Sequence, residues 1–389
     1  MSSIQFSEVE KAFIIEKGYS SAHTNIPYIT VDNFPLLGFL TALRFLEWVL
    51  ENPEGVISLP SGKTPEYFIH WTKYLLESWN SYKGKQIRDS YGLGKNKKPY
   101  LKNLKFVQMD EFYPLSSRQH NSFCNYVKRF YINDFGLDEQ KSLFIDCDAI
   151  NLSENMHFSK VFPDLQVDLS LRYREPSNAA EMIQQKSIFA IDNWCSEYEN
   201  RIHDLGGIGF FLGGIGPDGH IAFNTKGSDH HSSTRLTETN FETQAVAAAD
   251  LGGIEISRNR LVITIGLGTI TCNPETVAII IAAGDAKAPV VRDAVEHAPS
   301  NLYPASVLGK LKNARFYLTK GAISLLKESK EYYYSEGKWT QAKTDRAVTD
   351  LCIRLDKYAH HLTIDDLKED PYCRLIPGVD ESTVYSVCE

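Results

Sequence analysis

Short apolar runs alternate with amphipathic stretches along most of this chain. The runs are rich in β-branched and aromatic residues and are bounded by glycine, proline or polar residues, which is typical of buried strands. They predict strands over residues 55–59, 104–108, 209–212, 261–265, 277–282 and 314–318.

Two longer stretches, 35–50 and 182–203, predict helices between those strands. The first carries apolar side chains at helical spacing, and Pro35 is acceptable in a first turn. Strands that alternate with helices indicate βαβ units around a parallel sheet. We therefore predict an α/β fold with a doubly wound, mainly parallel sheet and helices on both faces, in a Rossmann-like arrangement.

Two stretches fit a minimal sheet domain poorly. Residues 83–102, rich in Lys and Gly, and residues 146–177, of mixed polarity, are predicted to be surface insertions. The lysine-rich insertion is either an anion-binding arm or, as charge runs usually are, a solvated loop. Residues 332–389 are helical in pattern, tyrosine-rich and acidic. We predict one α/β domain over 1–322 and a helical C-terminal extension over 323–389 packed on it.

Composition narrows the classes of function. The 389 residues carry 41 basic and 49 acidic side chains, a net charge of -8, which argues against a broad nucleic-acid-binding surface. No apolar run approaches the roughly 20 residues of a membrane span, and the N-terminus lacks a signal-peptide pattern, so we expect a soluble cytoplasmic protein without a membrane partner. The seven cysteines are scattered and never spaced C-x-x-C, so neither a disulfide framework nor a zinc site is expected.

Small polar clusters follow five of the predicted strands. They are SGKTP at 61–65, MDEF at 109–112, IGPDGH at 215–220, LGTI at 267–270 and GDAK at 284–287. Ligands of open α/β sheets bind outside the carboxyl ends of the strands, so we expect these clusters to converge on one site.

Two of the clusters are candidates for holding phosphate. In SGKTP the backbone amides of Gly62, Lys63 and Thr64 precede a predicted helix, whose N-terminus attracts anions, although a simple capped turn has the same pattern. The spacing of a nucleotide P-loop is broken, because Ile57 stands where its first glycine belongs. In GDAK, Lys287 is either a phosphate ligand or an ordinary exposed lysine.

A third cluster pairs a carboxylate with an imidazole. GIGPDG at 214–219 formally matches G-x-G-x-x-G, but the polar continuation is not the long helix that a dinucleotide site requires. Gly219 instead lets the chain turn sharply and present Asp218 and His220 together. Since an unperturbed imidazole titrates near pH 6.5, this pair suits proton transfer.

Asp110, in FVQMDEF, follows a largely apolar strand. A partly desolvated carboxylate has a raised pKa and can act as a base. Its neighbour Glu111 points elsewhere on an extended chain, so we expect a structural hydrogen-bonding role for it.

Taken in order, these clusters resemble the glucosamine-6-phosphate deaminase (isomerase) family over roughly residues 28–320. The longest match is FLGGIGPDGHIAFN, and LPSGKTP, MDE, HNSF, LVITIGLGTI and the lysine of AAGDAKA also match. The related 6-phosphogluconolactonases share the phosphate loop and a GxDGH turn but usually continue it differently. The resemblance implies a small sugar phosphate as substrate, an aldose–ketose isomerisation coupled to loss of ammonia, no metal or organic cofactor, and frequent self-association.

The resemblance also assigns roles by position. Asp110 matches the base that moves a proton between C2 and C1, His220 the ring-opening acid and base, and Asp218 the carboxylate associated with that histidine. The positions that match phosphate contacts are Ser61, Gly62, Thr64 and Lys287, with Lys63 where a second glycine is common.

The sequence departs from the family in three places. Thr225 stands where a catalytic glutamate usually follows HIAFN. The arginine expected within 244–253 to contact phosphate is absent, and Lys63 is a candidate to replace its charge. The allosteric site is matched only in part, by Ser228 and Arg235, with Thr237 in place of a lysine.

Three functions remain to be distinguished. The leading one is an isomerase and deaminase of an amino sugar 6-phosphate. The second is a lactone hydrolase of the 6-phosphogluconolactonase kind, in which His220 activates water. The third, which the threonine at 225 and the C-terminal extension motivate, is a catalytically silent sugar-phosphate-binding module.

Overall fold

Strands and helices alternate through most of the protein, for which a computed structural model describes residues 6–17, 19–21, 24–94, 97–380 and 382–383. In chain order the strands are β1 (Tyr19–Ser21), β2 (Tyr28–Val31), β3 (Val56–Ser58), β4 (Lys105–Val107), β5 (Asp110–Tyr113), β6 (Ser142–Leu143), β7 (Phe210–Gly214), β8 (Arg235–Thr237), β9 (Leu261–Thr264), β10 (Val277–Ala282) and β11 (Ala314–Thr319). The helices are α1 (Glu8–Glu16), α2 (Phe34–Glu51), α3 (Glu66–Glu77), α4 (Tyr82–Ser90), α5 (Phe123–Val127), which a π-helical segment (Lys128–Asp134) continues, α6 (Phe158–Val161), α7 (Ala179–Asp204), α8 (Phe241–Leu251), α9 (Ile254–Ser257), α10 (Leu267–Thr271), α11 (Ala288–Glu296), α12 (Lys327–Ser335), α13 (Gln341–Leu355) and α14 (Ile364–Glu369).

The main sheet is parallel and doubly wound. Its order is β1-β2-β11-β10-β7-β3-β4-β6, in which every pair is parallel except β1 with β2. From β3 the chain moves outward through β4 to β6, then returns to β7 on the other side of β3 and continues to β10 and β11. The order therefore reverses between β3 and β7, where the crevice for a ligand is expected. The prediction of a mainly parallel α/β sheet is confirmed.

The core of this sheet follows from its apolar strands and from α2. All six residues of both β10 and β11 are buried, as expected for strands covered on both faces. Helix α2 is capped by Asn33, whose side chain accepts from the backbone N–H of Leu36. At Gly38 a Cβ would come within 2.4 Å of Tyr67 Cβ, so α2 and α3 approach more closely than a larger residue allows.

One predicted strand lies in a different sheet. Residues 261–265 were expected in the main sheet, but β9 is the centre of a three-stranded antiparallel sheet with β5 and β8. A short run of buried apolar residues fits either sheet, so the sequence pattern could not distinguish them. The small sheet pairs Asp110 with Thr264, and Asp110 therefore begins a strand of its own.

The two predicted insertions contain ordered elements. Within residues 83–102, the expectation of a solvated loop is wrong for the part that forms α4, which Ser81 caps. Arg88 in this helix is buried, donates to the carbonyls of Trp79 and Gly94, and lies over the Trp79 ring at 4.7 Å. Residues 146–177 form α6 and short turns around buried side chains such as Leu171.

The chain divides into two compact units, Met1–Ile323 and Ser324–Glu389. The second unit contains α12, α13 and α14 around a core of its own, in which Tyr334 stacks on Trp339 and Tyr372 with ring centroids 5.9 and 4.7 Å apart. Among the helices that the structure describes, none combines the length and apolarity that crossing a bilayer needs.

Candidate active site

A cavity of about 240 Å³ lies at the carboxyl ends of β3, β4, β7 and β10. Four of the five predicted clusters reach it. The candidate residues that line it are Ser61, Gly62, Thr64, Asp110, His220 and Lys287. Segments far apart in the sequence thus meet at one place beside the reversal of strand order.

The fifth cluster, LGTI at 267–270, is not part of this cavity. It begins α10, and Thr269 Oγ1 accepts from the N–H of Gly266 and donates to Glu199 at 2.8 Å. Glu199 also accepts the N–H and hydroxyl of Thr234. The expectation that this cluster joins the site is wrong, because the strand before it belongs to the small sheet, and its hydroxyl stabilises a buried carboxylate instead.

The SGKTP loop has the geometry of an anion cradle. Gly62 has φ +77°, which a glycine adopts without strain. No side chain caps the N-terminus of α3, which begins one residue after the loop. The N–H of Glu66 donates to the Lys63 carbonyl at 3.3 Å, so the next N–H groups of the first turn and the positive end of the helix dipole are the ones available to an anion beside Ser61 and Thr64.

The two lysines of the predicted site differ in placement. Lys287, at the start of α11, lines the cavity and donates to the carbonyl of Ile215 at 2.7 Å. Burial lowers its pKa, which the nearby Asp218 charge opposes. Lys63 is exposed and does not line the cavity, so the expectation that it contacts the substrate or replaces the missing arginine is not supported by its position.

Two adjacent carboxyl groups at the start of β5 are both buried but differ in their hydrogen bonds. Asp110 is buried, and no hydrogen bond reaches its side chain from the described residues, so burial and then the Glu111 charge raise its pKa to about 8. Glu111 accepts from the N–H groups of Phe112, Phe123 and Cys124 and from the Ser122 hydroxyl. The structural hydrogen-bonding role predicted for Glu111 is confirmed, and Asp110 remains the carboxyl group free to react.

His220 and Asp218 form a tight pair at the glycine-rich turn. His220 Nδ1 lies 2.5 Å from Asp218 Oδ1, and since an ionised carboxylate only accepts, Nδ1 carries the proton. Burial opposes ionisation of Asp218, but the hydrogen bond and charge of His220 outweigh it and hold the pKa of Asp218 at about 2. Nε2 of His220 is then the nitrogen left to exchange a proton with a ligand.

Two glycines make this turn possible. Gly219 has φ +86°, which places Asp218 and His220 on the same side of the turn. A Cβ at Gly216 would lie 2.0 Å from His220 Cε1, so the imidazole packs directly on the Gly216 backbone.

Replacing Gly216 by alanine is expected to displace the imidazole and to lower any His220-dependent rate by about a hundredfold, because a shift of about 1 Å at a catalytic group has that effect. Steady-state kinetics would measure this. Gly309→Ala is a matched control, since its added Cβ would make only ordinary contacts of 3.6 Å or more. Full activity in the Gly216 variant would contradict the geometry.

Sequence reasoning missed two residues of the site, Asn240 and Thr243. Asn240 Nδ2 donates to Asp218 Oδ2 at 2.6 Å, and Thr243 Oγ1 lies 3.2 Å from His220 Nδ1. An asparagine before the amphipathic residues 241–251 is a helix N-cap signal, but nothing in the sequence indicates that this helix end faces His220.

The structure shows where the three departures from the family pattern lie relative to the cavity and to His220. Thr225 does not line the cavity, and the carboxylate paired with His220 is Asp218. Arg235 donates to Asn224 at 2.9 Å and to Ser228 at 3.3 Å, so the two matched allosteric positions are in contact. In the interval where the family arginine is expected, Val246 and Ala247 line the cavity.

Several proteins of similar sequence are glucosamine-6-phosphate deaminases. No protein-family model matches the chain. It is 26% identical over 286 residues to a glucosamine-6-phosphate deaminase of Borreliella burgdorferi (strain ZS7), covering 74% of this chain and 84% of the relative. It is 26% identical over 308 residues to the glucosamine-6-phosphate deaminase of Geobacillus sp. (strain WCH70), covering 79% of this chain and 99% of the relative.

A human relative and a solved structure agree with these matches. The chain is 28% identical over 207 residues to human glucosamine-6-phosphate deaminase 2, covering 52% of this chain and 69% of the relative. The fold is similar to that of a monomeric glucosamine-6-phosphate deaminase, with a TM-score of 0.56 and 22% identity over 76% of this chain and 98% of the other. Sequence and fold are therefore both similar to those of glucosamine-6-phosphate deaminases, in agreement with the resemblance that the sequence motifs indicate.

Proposed function

We propose that this protein is an enzyme that converts glucosamine 6-phosphate and water to fructose 6-phosphate and ammonia. The observation that carries the proposal is the meeting of Asp110, of His220, to which Asp218 is hydrogen-bonded from outside the cavity lining, and of the SGKTP loop in one cavity. The named relatives support the choice of an amino sugar phosphate.

Binding in this proposal depends on both ends of the substrate. The phosphate lies against the loop of Ser61, Gly62 and Thr64 at the N-terminus of α3, with Lys287 as its cationic partner. The apolar face of the sugar carbons packs on an aromatic wall of Phe112, Phe123 and Phe223, whose ring centroids are 5.2 to 6.2 Å apart.

The reaction needs an acid and a base at different carbons. His220 takes the proton of the C1 hydroxyl and supplies one to the ring oxygen, so that the bond from C1 to the ring oxygen breaks and an aldehyde forms. Asp110, ionised, removes the proton from C2 while O1 gains the proton that the ammonium group loses, and return of the first proton at C1 leaves a hydroxyl group at C1 and a carbon–nitrogen double bond at C2. Water adds there and ammonia leaves, which gives the ketose phosphate without any external oxidant or reductant.

A coupled assay for ammonia with glucosamine 6-phosphate tests this function. We expect turnover that depends on His220 and Asp110. Rapid hydrolysis of 6-phosphogluconolactone, lost in His220→Ala and without ammonia release from any hexosamine 6-phosphate, would assign the protein to the lactonases instead. Calorimetric binding of the sugar phosphate without turnover of either compound would make it a binding module.

The phosphate assignment predicts different effects for two lysines. Lys287→Met is expected to weaken binding of glucosamine 6-phosphate about tenfold or more, because a charge-assisted hydrogen bond contributes about 1.5–3 kcal/mol. Lys63→Met is the matched control and is expected to change the dissociation constant less than about twofold, since its side chain is exposed outside the cavity. Isothermal titration calorimetry measures both, and equal effects would contradict the assignment.

We place the enzyme in the cytoplasm, where phosphorylated sugars are retained because their charge opposes passage through a bilayer. Self-association stays a prediction, and one similar solved deaminase is described as monomeric. Light scattering on the purified chain measures the oligomeric state.

A further inference from the structure

The first turn of α8 touches both members of the His220–Asp218 pair. Asn240, the N-cap of this helix, reaches Asp218, and Thr243, one turn later, reaches His220. Thr243 is buried and Asn240 is half-buried. One helix end is therefore bonded to both the carboxylate and the imidazole.

The Asn240 amide is held by two partners at once. Its Oδ1 accepts from the N–H of Thr243 at 3.0 Å, and its Nδ2 donates to Asp218 Oδ2 at 2.6 Å. Turning the amide over would place its oxygen against the carboxylate and its nitrogen against a backbone donor, so these partners fix its orientation. The same side chain caps the helix and holds the carboxylate.

Asp218 uses its two oxygens for different partners. Oδ1 accepts from His220, while Oδ2 accepts from Asn240 and, at 3.3 Å, from the N–H of Lys226. A carboxylate with a donor at each oxygen cannot rotate about its Cβ–Cγ bond without losing both. The plane of the carboxylate, and with it the direction of the bond to His220, is therefore set in part by Asn240.

We propose that Asn240 is a positioning residue, which holds the Asp218 carboxylate in line with His220 Nδ1 and so couples the N-terminus of α8 to the acid–base group. The significance for catalysis rests on the function proposed above for His220. In this chain, where Thr225 replaces the usual glutamate, the alignment of the histidine depends on Asp218 and on the helix end behind it.

Two substitutions separate this role from helix capping. Asn240→Ser and Asn240→Asp both keep a good N-cap residue. Serine is too short to donate to Asp218, and aspartate places a second carboxylate against it. Asn33→Ser is the matched control, because Asn33 caps α2 in the same way and lies at a helix start outside the cavity.

The test uses the hydrogen-bonded Nδ1 proton of His220, followed by one-dimensional proton NMR on the full chain without substrate. A short bond to a carboxylate is expected to give a far-downfield resonance in the wild type, which Asp218→Asn abolishes and thereby assigns. Both Asn240 variants are expected to shift or broaden this resonance while Tm changes by less than about 2 °C, and Asn33→Ser is expected to leave the resonance unchanged.

Each other outcome overturns the proposal. An unchanged resonance in both Asn240 variants shows that the carboxylate is aligned without Asn240. A resonance lost together with a matching fall in Tm in both variants leaves Asn240 with a purely structural role. With substrate, Asn240→Ser is expected to lower kcat about tenfold with KM within about twofold. Since the NMR result needs no turnover, it stands whether or not glucosamine 6-phosphate is the substrate.

Discussion

Replacing Asp110 by asparagine is expected to lower kcat by about a thousandfold and, at the same time, to make the protein more stable. A positioned general base contributes about 10²–10⁴ in rate, and asparagine cannot accept a proton from C2. When it is ionised, above a pKa of about 8, the native carboxylate is buried without a hydrogen-bond donor from the described residues, and the neutral amide removes this cost of about 1–3 kcal/mol. Kinetics and thermal unfolding of the two proteins measure both effects.

The pH dependence of this gain in stability has a definite sign. Burial, and then the charge of Glu111, raises the pKa of Asp110 to about 8 in the folded protein, against an ordinary value near 4. The stability that its protonated form contributes is complete below about pH 4 and is lost as the pH rises towards 8. Asp110→Asn should therefore exceed the wild type in Tm most clearly near pH 8–9.

The same raised pKa governs activity. The base must be ionised, so kcat/KM of the wild type is expected to rise with pH through about 8, as the free enzyme loses the Asp110 proton. Because the neighbouring Glu111 also has a raised pKa, of about 7, the two carboxyl groups titrate as a coupled pair.

Glu111→Gln is the matched control for Asp110→Asn. Its carboxylate accepts four hydrogen bonds from backbone and hydroxyl donors, and an amide nitrogen in its place would face donors. We expect this variant to lose about 1–3 kcal/mol of stability. Full kcat in Asp110→Asn would contradict the assignment of Asp110 as the base, and a loss of stability in that variant would contradict the cost assigned to its buried carboxylate.

Asp218→Asn is expected to lower kcat by about 10²–10⁴, because an amide cannot hold His220 with its proton on Nδ1. The family's usual glutamate is absent at 225, so Asp218 is the carboxylate on which the histidine depends. The variant keeps its volume, and circular dichroism would check that its fold is retained.

Thr225→Glu provides the complementary experiment. Since Thr225 does not line the cavity and His220 is already paired, we expect kcat to change by less than about tenfold in either direction. Turnover that appeared only in Thr225→Glu would show that the native chain has lost the deaminase reaction, against the proposal made here.

The parts of the fold that the sequence predicts well are those where one local pattern has one structural solution. The apolar runs that became β3, β4, β7 and β10 are followed by polar or glycine-rich clusters, and the strand ends could be placed from those clusters. The run that became β9 has the same composition, but its partners β5 and β8 are short and distant in sequence. Which sheet it joins is decided by long-range packing that no local pattern records.

The residues of the site likewise fall into those that a local sequence pattern predicts and those that only the folded structure brings to the cavity. Asp110, His220 and the SGKTP loop were predictable because each follows a strand that the apolar pattern identifies. Asn240 and Thr243 reach the pair from a helix whose N-cap lies twenty residues after His220, and their residue types are ordinary for a helix start. Lys63 was predicted to be in the site because of its position in the SGKTP loop, but its side chain is exposed. Only its neighbours in the loop line the cavity.

The most direct test of the proposed reaction follows the carbon that changes its bonding. Glucosamine 6-phosphate labelled with ¹³C at C2 would be incubated with the wild type and with Asp110→Asn, and carbon NMR would be recorded over time. With the wild type, the signal should move from an amine-bearing carbon to the hemiketal carbon of fructose 6-phosphate as ammonium accumulates, and it should stay unchanged with the variant. A C2 signal that keeps its amine with the wild-type protein would contradict the assignment of this chain as a deaminase.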